Sequence, residues 1–282
     1  MLAPLLAATA LLAPPSWTPE VAAARAYAHS RPGVVAFAVR TDDRLWGWRA
    51  DARFPSASVL KAMLLVAYLR HVRDRPLRAS ERALLTPMIR RSDNSAATTI
   101  RNRIGDGALV RLAHATGMTR FRPGGAIWGN SQITARDQTR FFLGIDGFVP
   151  PRHRAYAMHL LRTVVPSQRW GIGQVPLPGW TVYFKGGWGS GTGRVDNQVA
   201  LLVRGDERVS VAVLTVDDGT HAAGKETLRG IFARLLRGLD DEGAPQGALV
   251  TATGPVAADR SVGDRHVASA GARRSPSAGP SA

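Results

Sequence analysis

A chain of 282 residues with 45% hydrophobic content can build one large domain or two small ones around a sizeable core. It has no cysteine, which excludes disulfides and thiolate metal sites, and no apolar run of membrane-spanning length follows the N-terminus. The formal charge of +16 invites an anionic partner, yet the arginines are scattered and no nucleic-acid recognition motif is present, so nucleic acid is not the expected partner. An anionic wall or membrane polymer would fit the same charge, and coding composition alone would also give so arginine-rich a chain.

Residues 1–13 are apolar and run into Pro14-Pro15-Ser16. They read either as the apolar part of an export signal, lacking a basic residue ahead of it, or as an apolar arm packed on the body, or as the result of a start codon placed too far downstream. Residues 1–17 are therefore set apart. Thr18-Pro19-Glu20 opens a helix to about His29, with Thr18 as its expected cap. Pro32-Gly33 ends it. Val34–Arg40 and Leu45–Arg49 read as a hairpin, with Trp46 and Trp48 on one face.

The next run, Phe54 to Leu69, is apolar and reads as a helix with Pro55 and Ser56 as its start signals. Further helices are expected at Ser80–Ile89 with Ser80 as cap, Asn94–Ile104, Gly107–Ala115, Thr134–Leu143 and Arg152–Val165. Strands then return at Trp180–Lys185, Arg194–Val203 and Arg208–Val216, and a helix at Gly224–Leu239 closes the chain. From 241 onward the chain has no Phe, Trp, Tyr, Ile or Met and reads as a disordered tail. The segment 243–282 holds four arginines against two aspartates, so +14 of the +16 belongs to the residues before it.

The expected architecture is α+β. An antiparallel sheet with flanking terminal helices (18–58 and 171–240) joins an all-helical domain (59–170), with a cleft where the two meet.

Ser58-Val59-Leu60-Lys61 sits at the start of the apolar run. A three-residue step is about one helical turn, so Ser58 and Lys61 share a face. A serine hydroxyl is a poor nucleophile unless a neighbouring group takes its proton. A lysine amine does so only when burial or nearby positive charge has lowered its pKa. Alone, Ser-x-x-Lys also arises by chance on a surface helix. Here it is followed by Ser92-Asp93-Asn94 and by Lys185-Gly186-Gly187. The chain's only lysines are Lys61, Lys185 and Lys225, so two of the three fall in these motifs. Arginine carries the remaining positive charge and cannot act as a base.

In order and setting, these three motifs resemble those of the serine β-lactamase and penicillin-binding protein superfamily, closest in layout to class A-like enzymes, over roughly residues 18–240. The resemblance implies an antiparallel sheet joined to a helical domain with the active site between them. It further implies Ser58 as acylated nucleophile and Lys61 as its base, Ser92 as proton relay to the leaving group, and Asn94 as a holder of the substrate amide or the lysine. Lys185 would bind a substrate carboxylate, and the N–H groups of Ser58 and Trp188 would form the oxyanion hole. Gly186 and Gly187 would let a substrate carbonyl lie along the strand edge. Two cations in one cleft should also depress each other's pKa.

The chain departs from the class A pattern in three places. That class carries a glutamate in a loop after the Ser-Asp-Asn motif, which activates the deacylating water. The five glutamates here are Glu20, Glu81, Glu207, Glu226 and Glu242, and the loop from Phe121 to Asn130 has no carboxylate. The interval from Ser58 to Ser92 is short for the class. Gly186 stands where the family usually has a hydroxyl residue.

The expected function is therefore a serine acyl-enzyme hydrolase acting on an amide or ester, with cell-wall peptide as one substrate. A β-lactamase with atypical deacylation and a non-catalytic wall-associated binding protein of the same fold remain open. No cofactor or metal is expected, since His29, His71, His114, His153, His159, His221 and His266 show no ligand spacing. The expected partner is a small-molecule or peptide substrate, the chain a monomer, and the location secreted or at the cell envelope. Trp188 heads a glycine-rich run, either walling an acyl pocket or beginning a flexible connection. Trp128 and Trp170 either border the cleft or pack in the core. Arg90-Arg91 either add potential to the site or are simply solvated. His221 reads as a loop residue.

Overall fold

The computed structural model describes residues 17–189 and 194–240. The apolar arm up to residue 16, residues 190–193 of the glycine-rich run and the tail from 241 lie outside the described residues. Helix α1 spans Val21–His29, followed by strands β1 (Val34–Arg40), β2 (Leu45–Trp48) and β3 (Phe54–Pro55). Helices α2 (Leu60–His71), α3 (Ala79–Arg90) and α4 (Asn94–Ala115) come next, then strand β4 (Gln132–Ile133) and helices α5 (Ala135–Leu143), α6 (Ile145–Phe148) and α7 (Pro151–Arg162). Strands β5 (Thr181–Gly189), β6 (Val195–Arg204) and β7 (Glu207–Val216) lead to the closing helix α8 (His221–Leu235).

The five long strands form one antiparallel sheet in the order β2-β1-β7-β6-β5, so strands from both ends of the chain pair through β1 and β7. This is the α+β arrangement the motifs imply. Side chains alternate faces along a strand, and β1 displays that period directly. Val35, Phe37 and Val39 enter a core with Ala24, Ile231 and Phe232 of the terminal helices, whereas Ala36 and Ala38 enter a second core with α2 and α5. Both faces of the sheet are therefore covered, and β5 is left at one edge.

Helix α2 is the centre of the second core. Its ten residues from Leu60 to Leu69 are all buried, so it is enclosed on every side rather than amphipathic. Truncating a side chain there, Leu64→Ala for example, costs about 2–5 kcal/mol. A charged residue survives in such a helix only if it is well partnered, and Lys61 is one of the ten.

Several helix starts differ from expectation. At α1 neither Thr18 nor the boundary residue Glu20 makes a side-chain cap bond. At α3 Ser80 is not the cap; the Glu81 carboxylate reaches back to the Arg78 N–H at 2.7 Å. The two helices expected over 94–115 form one stretch broken at Gly105, whose φ of 68° suits glycine. Helix α8 begins three residues early, because the Thr220 hydroxyl accepts from the Ala223 N–H at 3.1 Å and so caps a turn starting at His221. Strand β5 runs four residues past Lys185, which puts the whole third motif in the sheet. The pair β3–β4, joining Phe54 to Ile133 and Pro55 to Gln132, is too short to leave a periodic signal.

Candidate active site

Ser58 lies in a single 3-10 turn, Ala57–Val59, that leads directly into α2. Three contacts fix this turn. The Ser56 N–H donates to Ser131 O at 2.7 Å, tying it to the segment after the 121–130 loop. Asn197 on β6 donates from Nδ2 to Pro55 O at 2.7 Å. Strand β5 backs onto it so closely that a Cβ at Gly187 would stand 2.6 Å from Ser58 N and 2.7 Å from Val59 N. A Cβ at Gly186 would stand 2.8 Å from the Trp170 ring. The space beside both glycines is thus filled by the protein itself, and glycine is required there for close approach.

Ala57 has φ 42° and Ser92 has φ 57°, left-handed values that cost a non-glycine residue about 1–2 kcal/mol. These positions precede the candidate nucleophile and hold the candidate relay. Ser92 is followed by Asp93, whose carboxylate caps α4 by accepting from the Ala96 N–H at 2.7 Å. That cap sets the position of Asn94 at the helix start.

The structure brings Ser58, Lys61, Ser92, Asn94 and Lys185 together. Lys61 Nζ is 2.8 Å from Ser58 Oγ, 2.6 Å from Ser92 O, 3.0 Å from Ser92 Oγ and 2.6 Å from Asn94 Oδ1. Lys185 Nζ is 3.1 Å from the same Ser92 Oγ and 2.7 Å from Gly186 O. One hydroxyl therefore bridges two amines. Both lysines are fully buried, while Ser58 and Ser92 each keep 8% exposure.

Burial lowers the Lys61 pKa to about 7, and the Asp93 carboxylate opposes that shift. Lys185 is pushed well below the ordinary lysine value, first by burial and then by Lys61. The expectation that the two cations depress each other holds for Lys185, while the lowering at Lys61 comes from burial. Desolvation comes first at both amines, and the neighbouring charge acts on Lys185. A neutral Lys61 has two hydrogens and one lone pair. Ser92 O and Asn94 Oδ1, both at 2.6 Å, can only accept and so take the two hydrogens. The lone pair is left for a hydroxyl proton, and Ser58 Oγ is the nearer hydroxyl.

An open cleft of about 650 Å³ borders Ser58, lined also by Asn94, Thr98, Arg101, Trp128 and Trp188. Among the described residues no aspartate or glutamate lines it. Trp128 borders this cleft, with Lys61 Nζ 5.1 Å from its ring centroid and its Nε1–H donating to Thr98 Oγ1 at 3.1 Å. Arg101, paired with Asp106 within α4 at 2.9 and 3.0 Å, donates to Gly125 O at 2.9 Å and so ties the 121–130 loop to that helix. A second cavity of about 640 Å³, near Arg70, His71 and Arg111, includes none of the motif residues. Among the described residues no group of three or more His, Asp or Glu is arranged to hold a metal ion, and no helix is long and apolar enough to cross a membrane.

Trp188 carries its side chain on the sheet face away from Ser58. Its indole is edge-on to Trp170, with ring centroids 5.8 Å apart, and stacks on His221 at 5.4 Å. Trp170 itself is buried in the core beneath Gly186. His221 is not a loop residue: it opens α8, and its Nδ1 lies 2.6 Å from Asp196 Oδ1. Asp196 is buried, and its pKa is raised to about 8 by desolvation and by Asp218, against the pull of Lys225. Sequence reasoning missed Asp196 and Gln198. Their one available signal was their place on β6, directly opposite Trp188 and Gly186.

The Beta-lactamase enzyme family matches residues 74–238, which include Ser92, Asn94 and Lys185 and begin after Ser58 and Lys61. No curated protein matches the chain. Among solved structures, an ancestral class A β-lactamase is 18% identical with a TM-score of 0.66, the alignment covering 77% of this chain and 98% of that one. A β-lactamase from Sphaerobacter thermophilus is 22% identical with a TM-score of 0.66, over 77% and 95% of the two chains. One from Xanthomonas campestris is 17% identical with a TM-score of 0.68, over 77% and 96%. At these identities the likeness is one of fold.

Proposed function

This chain belongs to the Beta-lactamase enzyme family, and on that premise we propose that it is a serine hydrolase that opens an amide or ester and carries the acyl group on Ser58. The observation that carries the proposal is the 2.8 Å contact between Ser58 Oγ and a buried Lys61 amine whose pKa lies near 7. Lys61 takes the Ser58 proton as Oγ attacks the substrate carbonyl carbon. The negative charge that develops on the carbonyl oxygen is held by the N–H groups of Ser58 and Trp188. Ser58 N–H lies in the first turn of its helix, where backbone donors lack an intrahelical partner. When the tetrahedral intermediate collapses, Ser92 Oγ gives its proton to the leaving atom and is resupplied from Lys61. Asn94 keeps Lys61 oriented and accepts the substrate amide. Lys185 holds the Ser92 hydroxyl at 3.1 Å.

Deacylation is the step with least support from the site. Among the described residues the cleft offers no carboxylate to activate water, and Trp128 covers the wall that faces Lys61. We therefore place the chain nearer to a penicillin-binding enzyme, with a long-lived acyl-enzyme, than to an efficient class A β-lactamase. A peptide of cell-wall type is the proposed substrate, met by an exported chain.

The test is intact-protein mass spectrometry after incubation with a labelled penicillin, followed over time with Ser58→Ala as control. A persistent adduct on Ser58 supports the proposal. An adduct that forms and clears within the assay supports the alternative of a β-lactamase with unusual deacylation. Absence of any adduct, also with a fluorophosphonate probe, overturns the acyl-enzyme reading and favours a binding protein of the same fold.

A further inference from the structure

The strand that carries the third motif lies at the edge of the sheet and has one strand neighbour, β6. Edge strands need some other restraint. On the Ser58 side, the restraint is the close approach at Gly187. On the opposite side a polar and aromatic cluster does this work, and the acylation chemistry above does not use it.

The cluster is built from two positions of β6. Gln198, opposite Gly186, accepts the Ile172 N–H at 2.7 Å and donates to Trp170 O at 2.9 Å, which fixes the Trp170 ring beneath Gly186. Asp196, opposite Trp188, sits 2.6 Å from His221 Nδ1. The second Asp196 oxygen packs where a Cβ at residue 224 would fall, so Gly224 admits it to the first turn of α8. The Trp188 indole packs against both aromatic partners thus held, edge-on to Trp170 and stacked on His221. A third contact, Trp170 edge-on to His221 at 5.6 Å, closes the ring of contacts.

A buried carboxyl is costly unless it is hydrogen-bonded. Simple packing of Trp188 would call for an apolar neighbour instead. An imidazole fixed by a buried carboxyl gives a ring of set orientation, and the stacking partner of Trp188 needs that.

We infer that Asp196 and His221 are positioning residues: Asp196 orients the His221 ring, His221 with Trp170 clamps the Trp188 indole, and the clamp keeps the Trp188 backbone N–H aimed toward Ser58. The last step rests on the reading of Trp188 as an oxyanion donor. The clamp itself does not.

Two readouts separate the clamp from the reaction. Hydrogen–deuterium exchange of peptides covering 184–189 reports the strand, with peptides from β7 as the internal reference. Penicillin acylation kinetics, resolved into binding and rate constants, report the chemistry. His221→Ala is expected to speed exchange in 184–189 by about 10-fold and to slow the acylation rate constant by about 10-fold, the size of one lost aromatic stack. The binding constant stays within about 2-fold, because His221 does not line the cleft beside Ser58. His221→Phe restores the ring and recovers most of both effects. Asp196→Leu fills the same space without the hydrogen bond, and loosens 184–189 by about 3-fold, a fraction of the full loss. If His221→Ala does not fold, the Phe and Leu variants carry the comparison. Unchanged exchange in both His221→Ala and Asp196→Leu overturns the clamp, as does a His221→Phe variant no better than the Ala variant. If the parent protein forms no acyl adduct, the proposed reaction fails, while exchange alone still decides the clamp.

Discussion

On the proposed reaction, the pH dependence of acylation should be set by Lys61. Its amine is fully buried and its pKa falls to about 7, so about half of the molecules carry a neutral amine at neutral pH. A lysine at the usual value near 10.4 would be neutral in roughly 0.04% of molecules at pH 7, about a thousandfold fewer. The acylation rate constant should therefore rise tenfold per unit from pH 5, bend near pH 7 and level off above pH 8. Stopped-flow acylation with a fluorescent penicillin, from pH 5 to 9.5, measures this limb. Asp93 adds an internal check, because its charge opposes the shift. Asp93→Asn keeps an acceptor for the Ala96 N–H but removes the charge, so the bend should move to lower pH. A rate still climbing at pH 9.5, a flat profile, or a bend that moves upward in Asp93→Asn would refute the reasoning. So would undiminished acylation in Lys61→Met. Stability follows the same linkage. The folded state binds fewer protons than the unfolded chain between about pH 7 and 10.5, so Lys61 makes folding more favourable as pH rises through that window.

Gly187→Ala places a methyl group against the backbone of Ser58 and Val59; overpacking should cost about 1–3 kcal/mol by denaturant titration, and misplacing Ser58 should slow acylation about 100-fold. Glu81 is buried, and its hydrogen bonds to Arg75, to the Arg78 N–H and to Tyr68 hold its pKa near 2 against the cost of burial. Glu81→Gln should cost on the order of 2 kcal/mol at pH 7, with the gap to the parent closing as pH falls from 4.5 toward 2; a gap independent of pH would contradict the ionic role. Asp196 behaves in the opposite sense. Its raised pKa means that the folded state holds an extra proton between about pH 4 and 8, so the parent loses stability as pH rises through that window. Asp196→Asn should gain Tm relative to the parent progressively from pH 4 to 8, and a gain that shrinks over that range would overturn the assignment.

The three motifs were legible because each packs its chemistry into three or four consecutive residues, and because lysine is scarce enough here that its placement carries information. Strands β1, β6 and β7 and most helices followed from periodicity. The misses have a common cause in contacts distant along the chain. His221 acquires its setting from Asp196, 25 positions earlier, and from Trp188 and Trp170, so no local pattern marks it. The pairing of β3 with β4 involves two residues on each side. The start of α3 depends on Glu81 reaching back to a residue of unremarkable type. Gly186 and Gly187 could be read as room for substrate because a sequence shows that a side chain is missing and not what occupies its place.

The burial that holds α2 in the core and the burial that tunes Lys61 are the same burial. The ten enclosed residues from Leu60 to Leu69 anchor the helix, and the Ser58 turn at its head is pressed onto β5. That anchoring supports the left-handed conformations of Ala57 and Ser92, which would relax if either segment were free. It also removes water from the Lys61 amine, which is the main cause of its lowered pKa. A charged Lys61 works against the core around it, whereas a neutral Lys61 is compatible with it. The fold thus favours the protonation state that can accept the Ser58 proton, and the proton gained in the proposed acylation would restore the less favourable charged form. Passing that proton on through Ser92 to the leaving group relieves the core of the charge, so the direction of proton flow proposed for the reaction is the one the packing favours.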